Sequence, residues 1–212
     1  MQPTFDEESR PLLRKIMERL ASRQLASINI LGHCLKYIGD LEVKITVASE
    51  LNLWLRLFRE AHALYREFGW QDLDTAVRDR IEAIPYPASR LEFGVQYYVT
   101  GVAERVAMQS YTESSCREFA AIARTYVEAA ERRQEPTRFL EYCQDPANRP
   151  QAQQFFDRWV RIGLESLGKP GSRGDQRAVA LGLRSKTSAE LVAEYRERLE
   201  PFVERCGLTF SA

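Results

Sequence analysis

The side chains best suited to chemistry are few and far apart. Two histidines are present, His33 and His62. A carboxylate-bridged two-metal site in a helical bundle draws ligands from Glu-x-x-His pairs, because residues i and i+3 share one face of a helix. Ile30 stands three residues before His33 and Arg59 three before His62, so the motif does not occur. Glu60 precedes His62 by two residues and belongs to another face. His33 adjoins Cys34, but adjacent residues of a helix point apart and do not act as a pair. Cys34, Cys116, Cys143 and Cys206 form no Cys-x-x-Cys. They read as reduced, half-buried thiols of a cytoplasmic protein, neither a disulfide frame nor a zinc site. No glycine-rich phosphate loop or nucleophile elbow is present. Between 168 and 186, Lys169, Arg173, Arg177, Arg184 and Lys186 are set against the single carboxylate Asp175. That segment suits an acidic partner or the phosphates of a CoA-type ligand, and equally a solvated loop.

The elements that would position these groups are helical. Leu13, Ile16, Leu20, Ser27, Leu31, Leu35 and Ile38 recur with helical period over 12–38, with Pro11 in the first turn. Gly39-Asp40 breaks the pattern. A second helix is predicted over 41–68, ending at Gly69, with Val47, Leu51, Trp54, Leu55, Phe58, Ala61 and Tyr65 on a wide apolar face. A short amphipathic crossover helix over 71–84 ends at Pro85-Tyr86-Pro87. A third long helix, 88–112, carries Leu91, Val95, Tyr98, Val102, Val106 and Gln109, and a fourth runs from about 115 to 133. Shorter helices follow at 137–143 and 150–167, then a glycine-containing loop over 168–186. Thr187-Ser188-Ala189-Glu190 is a capping box opening a last helix, which Pro201 should bend.

Two helical hairpins joined by a crossover give the fold class: all-α, a ferritin-like four-helix bundle with extra C-terminal helices. The 212 residues are read as a single domain, with the core bundle over about 12–133 and the extension over about 137–212. Thirty basic residues balance thirty acidic ones, which argues against a general nucleic-acid binder and leaves little repulsion between copies. No apolar run approaches the ~18 residues needed to cross a membrane, and the polar opening 1–10 is unlike a signal peptide.

Specific positions carry a resemblance. Gln154-Phe155-Phe156-Asp157-Arg158-Trp159 leads to Leu167-Gly168-Lys169-Pro170, and Ser185-Lys186-Thr187-Ser188-Ala189-Glu190-Leu191 follows, then Pro201 and Cys206-Gly207-Leu208-Thr209. Together with Leu12-Leu13-Arg14-Lys15-Ile16, Pro85-Tyr86-Pro87 and Val99-Thr100-Gly101, this series resembles the catalytic-subunit family of bacterial phenylacetyl-CoA ring epoxidases. The resemblance implies a ferritin-like bundle. Active members of that family hold two irons, activate dioxygen, and work with a related metal-free bundle subunit and a reductase.

Carried onto this chain, the family's ligand positions fall on Arg23 or Gln24, on Trp54 and Leu57, on Thr100, and on Glu128 and Glu131, with Arg132 the alternative in the fourth helix. Tryptophan and leucine cannot bind iron, and a buried arginine opposes a second cation. The resemblance therefore implies a degenerate member, a pseudoenzyme without cofactor. Its partner would be a second copy or a related ferritin-like subunit, with neither nucleic acid nor membrane. Two alternatives stay open: an oxygenase or other enzyme using a shifted carboxylate cluster of Glu50, Glu104 and Glu128, and a homodimer with a small-molecule pocket. The same carry-over predicts that Arg23 or Gln24 contacts Glu128 or Glu131 inside the bundle, neutralising the lost site.

Overall fold

A computed structural model describes residues 8–130 and 135–211. The described residues form nine α-helices and no strand, an all-α helical bundle. The first, α1 (Arg10–Cys34), has Pro11 in its opening turn and buries Leu13, Met17, Leu20, Gln24, Leu31 and Cys34. A 3₁₀ turn, Leu35–Tyr37, closes it. Asp40 then caps α2 (Leu41–Glu67), its Oδ1 accepting from the Val43 amide at 2.9 Å. Gly69, at φ +74°, allows the tight exit that follows. The crossover is α3 (Leu73–Glu82), which packs along α1.

The second hairpin is α4 (Arg90–Gln109) and α5 (Arg117–Ala130). α2 packs on α1 and α5, and α5 on α4. A hydrogen bond between Ser27 and Glu104 brings α1 beside α4 and closes the four-helix ring. The extension consists of α6 (Thr137–Cys143), α7 (Arg149–Leu167), α8 (Arg173–Ala180) and α9 (Ser188–Cys206). α6, α7 and α9 cover the far side of α4, so α4 belongs to two layers and none of its residues is exposed. Gly163 of α7 permits close approach there: a Cβ at that position would lie 2.5 Å from the Tyr195 hydroxyl oxygen.

Three expectations need correction. The segment 168–186 is not one loop, because Ser172 caps α8 by accepting from the Asp175 amide. Leu55 does not join the inner face of α2 but lies outside, about 100° around the helix from Trp54. The four thiols are fully buried and unpaired by disulfides. The capping box at Thr187 and Glu190 is present, and α9 continues through Pro201 to Gly207, which is left-handed at φ +62°.

Candidate functional site

The interior of the four-helix ring is the one place where all of the candidate ligand-bearing helices meet. Trp54 and Leu57, on the inward stripe of α2, are completely buried. The Trp54 ring lies 4.5 Å from the Tyr126 ring of α5, at an angle of 33°. Tyr126 in turn donates its hydroxyl to Oε2 of Glu104, and Ser27 donates to Oε1 at 2.7 Å. Glu104 is only 7% exposed, and both its oxygens accept bonds from helices other than its own. One carboxylate thus ties α1, α4 and α5 together, and Tyr126 extends the contact to α2.

Arg23 reaches into the same region. Burial lowers its pKa to about 10, while Tyr111, Glu104 and Tyr126 favour its charge. It is a cation at neutral pH, and its Nη2 has no hydrogen-bond partner. Gln24, 3% exposed, is likewise enclosed, and neither polar atom of its side chain is bonded. Thr100 faces α1 across the ring. Its hydroxyl donates to the Gln96 carbonyl at 2.8 Å and accepts from Gln96 Nε2 at 3.1 Å. Ser27, Ile30, Leu31, Gln96, Tyr97 and Thr100 line a cavity of about 10 Å³, the threshold for a single water.

The expected neutralisation does not run through Glu128. Glu128 is exposed, because α5 turns Phe119, Ala123, Tyr126 and Ala130 inward and leaves position 128 outside. It cannot meet Arg23 or Gln24; the carboxylate near Arg23 is Glu104. Glu131 and Arg132 lie outside the described residues. The shifted cluster does not form for the same reason: Glu104 is buried, Glu50 half-buried and Glu128 outside. Among the described residues, no three His, Cys, Asp or Glu side chains converge in a way that could hold a metal ion. The residues present do not fit a two-iron centre. An indole and an isobutyl group fill the space, and the enclosed carboxylate of Glu104 is engaged by two hydroxyls.

The cationic segment is also redistributed. Arg184 is buried in an ion pair with Asp175, and its Nη2 also donates to the Ser188 hydroxyl at 3.2 Å. Asp175 accepts further from the Ser188 amide at 2.8 Å. Lys186 pairs with Glu194 at 2.6 Å, and Arg177 pairs with Glu8. Lys169 and Arg173 remain exposed and unpaired among the described residues. One cation of the segment is thus buried in a pair with the segment's own carboxylate, and two are paired with Glu194 and Glu8 beyond it, which lowers the positive charge of this surface.

Sequence reading missed Gln96 and undervalued Ser27. Gln96 stands one helical turn before Thr100, on the same face, which was the available signal. His33 is half-buried and packs against Tyr86, with ring centroids 4.7 Å apart, and takes no part in the interior site. No helix of the described residues is long and apolar enough to cross a membrane. No family model matches the chain, and no curated protein matches it.

Proposed function

We propose that this chain is a non-catalytic helical bundle that acts by binding, similar to the metal-free subunit of phenylacetyl-CoA ring epoxidases. It would serve as a structural partner within a multicomponent oxygenase. One observation carries the reading: Trp54 and Leu57, at the positions where the resemblance puts Glu-x-x-His, are fully buried in the ring. A vacated metal site has to be refilled, since interiors are close-packed and voids cost stability. The enclosed polar groups support the same view. Arg23, at a position where the resemblance puts a metal ligand, is an enclosed cation near Glu104, and Glu104 is held by Ser27 and Tyr126.

Elemental analysis of protein made in iron-rich medium tests this. The expected result is no stoichiometric iron or manganese; about two irons per chain, the complement of a di-iron bundle, would overturn it. The small-molecule reading has less support, because the interior cavity has room for about one water and not for an organic ligand.

A further inference from the structure

The outer face of α2 has a pattern that its own bundle does not use. Leu41, Ile45, Ala48, Asn52, Leu55 and Arg59 are spaced alternately by four and three residues and fall on one stripe, opposite the buried Trp54 and Ala61. All six are exposed. Leu41, Ile45 and Leu55, at 67%, 50% and 42%, are three of the most exposed large apolar side chains described. The α2 neighbours α1, α3 and α5 occupy its other faces. A four–three spacing of apolar residues is the seam of a two-stranded coiled coil, with Ile45 and Asn52 at a positions and Leu41, Ala48 and Leu55 at d.

We propose that this seam docks a second copy of the chain, antiparallel, to form a twofold-symmetric dimer. In that register Ile45 packs on the partner's Leu55, and Asn52 lies opposite the small partner's Ala48. Arg59 passes the partner's Leu41 with its charged end in water. The flanking charges select this orientation. Glu42 and Arg56 border the same side of the seam, and antiparallel pairing sets Glu42 of each copy against Arg56 of the other. Neither is committed within its own chain: Glu42 makes no ion pair among the described residues, and the Arg56–Glu60 contact is long, at 4.0 Å. A parallel arrangement would give no such pairs and would set Arg59 against Arg59, like charges in contact. An isologous twofold contact of this kind closes on itself and stops at two chains. The inference names a partner for one face and does not depend on the interior being metal-free.

Sedimentation equilibrium of the full chain, with cysteine cross-linking, tests the proposal. Wild-type protein is expected to be a dimer at micromolar concentration. Ile45→Asp with Leu55→Asp should give a monomer with unchanged helical content, since both side chains are outside the core, and with a thermal midpoint that no longer depends on protein concentration. Glu42→Arg alone should weaken the dimer about tenfold, and adding Arg56→Glu should restore it. Ser49→Cys lies beside the twofold axis and should cross-link to its own copy on oxidation, whereas Asn52→Cys should not. A monomeric wild type at high micromolar concentration, or a dimer indifferent to the Ile45 and Leu55 changes, would overturn the seam. Cross-linking through Asn52→Cys in place of Ser49→Cys would overturn the antiparallel register.

Discussion

Tyr126 on α5 donates its hydroxyl to Glu104 on α4, and the opposite oxygen of that carboxylate accepts from Ser27 on α1 at 2.7 Å. Three helices therefore depend on one enclosed anion. Removing a donor leaves a buried acceptor short of a bond, which costs more than the bond itself contributes. Tyr126→Phe should lower unfolding free energy by about 1–3 kcal/mol in urea denaturation. Glu104→Gln should cost less than Glu104→Ala, because the amide oxygen still accepts while alanine also leaves a void. Equal midpoints for the two Glu104 variants would count against the network.

Leu57→Ala should cost about 2–5 kcal/mol, the range for a fully enclosed leucine. Leu55→Ala, two residues away but facing outward, should change the stability of the monomeric fold by no more than about 0.5 kcal/mol. The contrast checks the rotation of α2, and equal effects would mean that Trp54 and Leu57 are not the filling of the ring.

Gly163 and Tyr195 form a second test pair. The Tyr195 hydroxyl is wholly buried without a hydrogen-bond partner. Tyr195→Phe should be neutral or stabilising, because it removes an unsatisfied polar atom. Gly163→Ala should destabilise by about 1–3 kcal/mol through overpacking against that hydroxyl. The double variant should recover part of the loss, a coupling that a double-mutant cycle measures directly.

Alkaline stability follows from the thiols. Burial raises Cys34 to about 12 and Cys116 to about 11, from an ordinary value of 9.0. Above pH 9 the unfolded chain loses these protons while the folded chain keeps them, so the folded state binds more and stability falls as pH rises. The loss at pH 10 should be about 1 kcal/mol per thiol, and Cys34→Ala with Cys116→Ala should remove only their share of the slope between pH 8 and 10, because burial also raises Cys143 and Cys206. Arg23, whose pKa is lowered to about 10, acts in the opposite sense only at higher pH. A thiol reagent should find almost no reactive cysteine in the native protein and four in denaturant.

Arg184→Ala should cost about 3–5 kcal/mol, because it strands Asp175 in the interior. Arg173→Ala, on the exposed face of α8, should be silent. Thermal midpoints that treat the two alike would return the segment to the status of a solvated loop.

Much of the helical framework could be read from the chain, because its breakers are unambiguous. Gly39-Asp40, Gly69 and Pro85-Tyr86-Pro87 separate apolar stripes of helical period, and the Thr187 capping box marks α9 to the residue. α8 is hard to read from sequence because glycines and a proline crowd its start and its buried face consists only of Asp175 and Ala178, too little apolar pattern for periodicity to register. Correspondence with the family's ligand positions puts Glu128 inside the bundle, whereas the stripe through Phe119, Ala123, Tyr126 and Ala130 puts it outside. The sequence shows Arg184 only as one cation of a charged segment, because its partner, Asp175, is brought to it only when α8 folds back. Glu104 was singled out for its residue type, but its bonds to Ser27 and Tyr126 depend on tertiary placement that no local pattern encodes.

α4, with no fully exposed residue, is the wall common to the four-helix ring and to the layer of α6, α7 and α9. Neither layer can open without uncovering it, so the two halves should share a single melting event. In native-state hydrogen exchange, the central amides of α4 should be released only by global unfolding. In a monomeric chain the first two turns of α2, where Leu41 through Thr46 are all exposed, should exchange by local fraying many orders of magnitude faster.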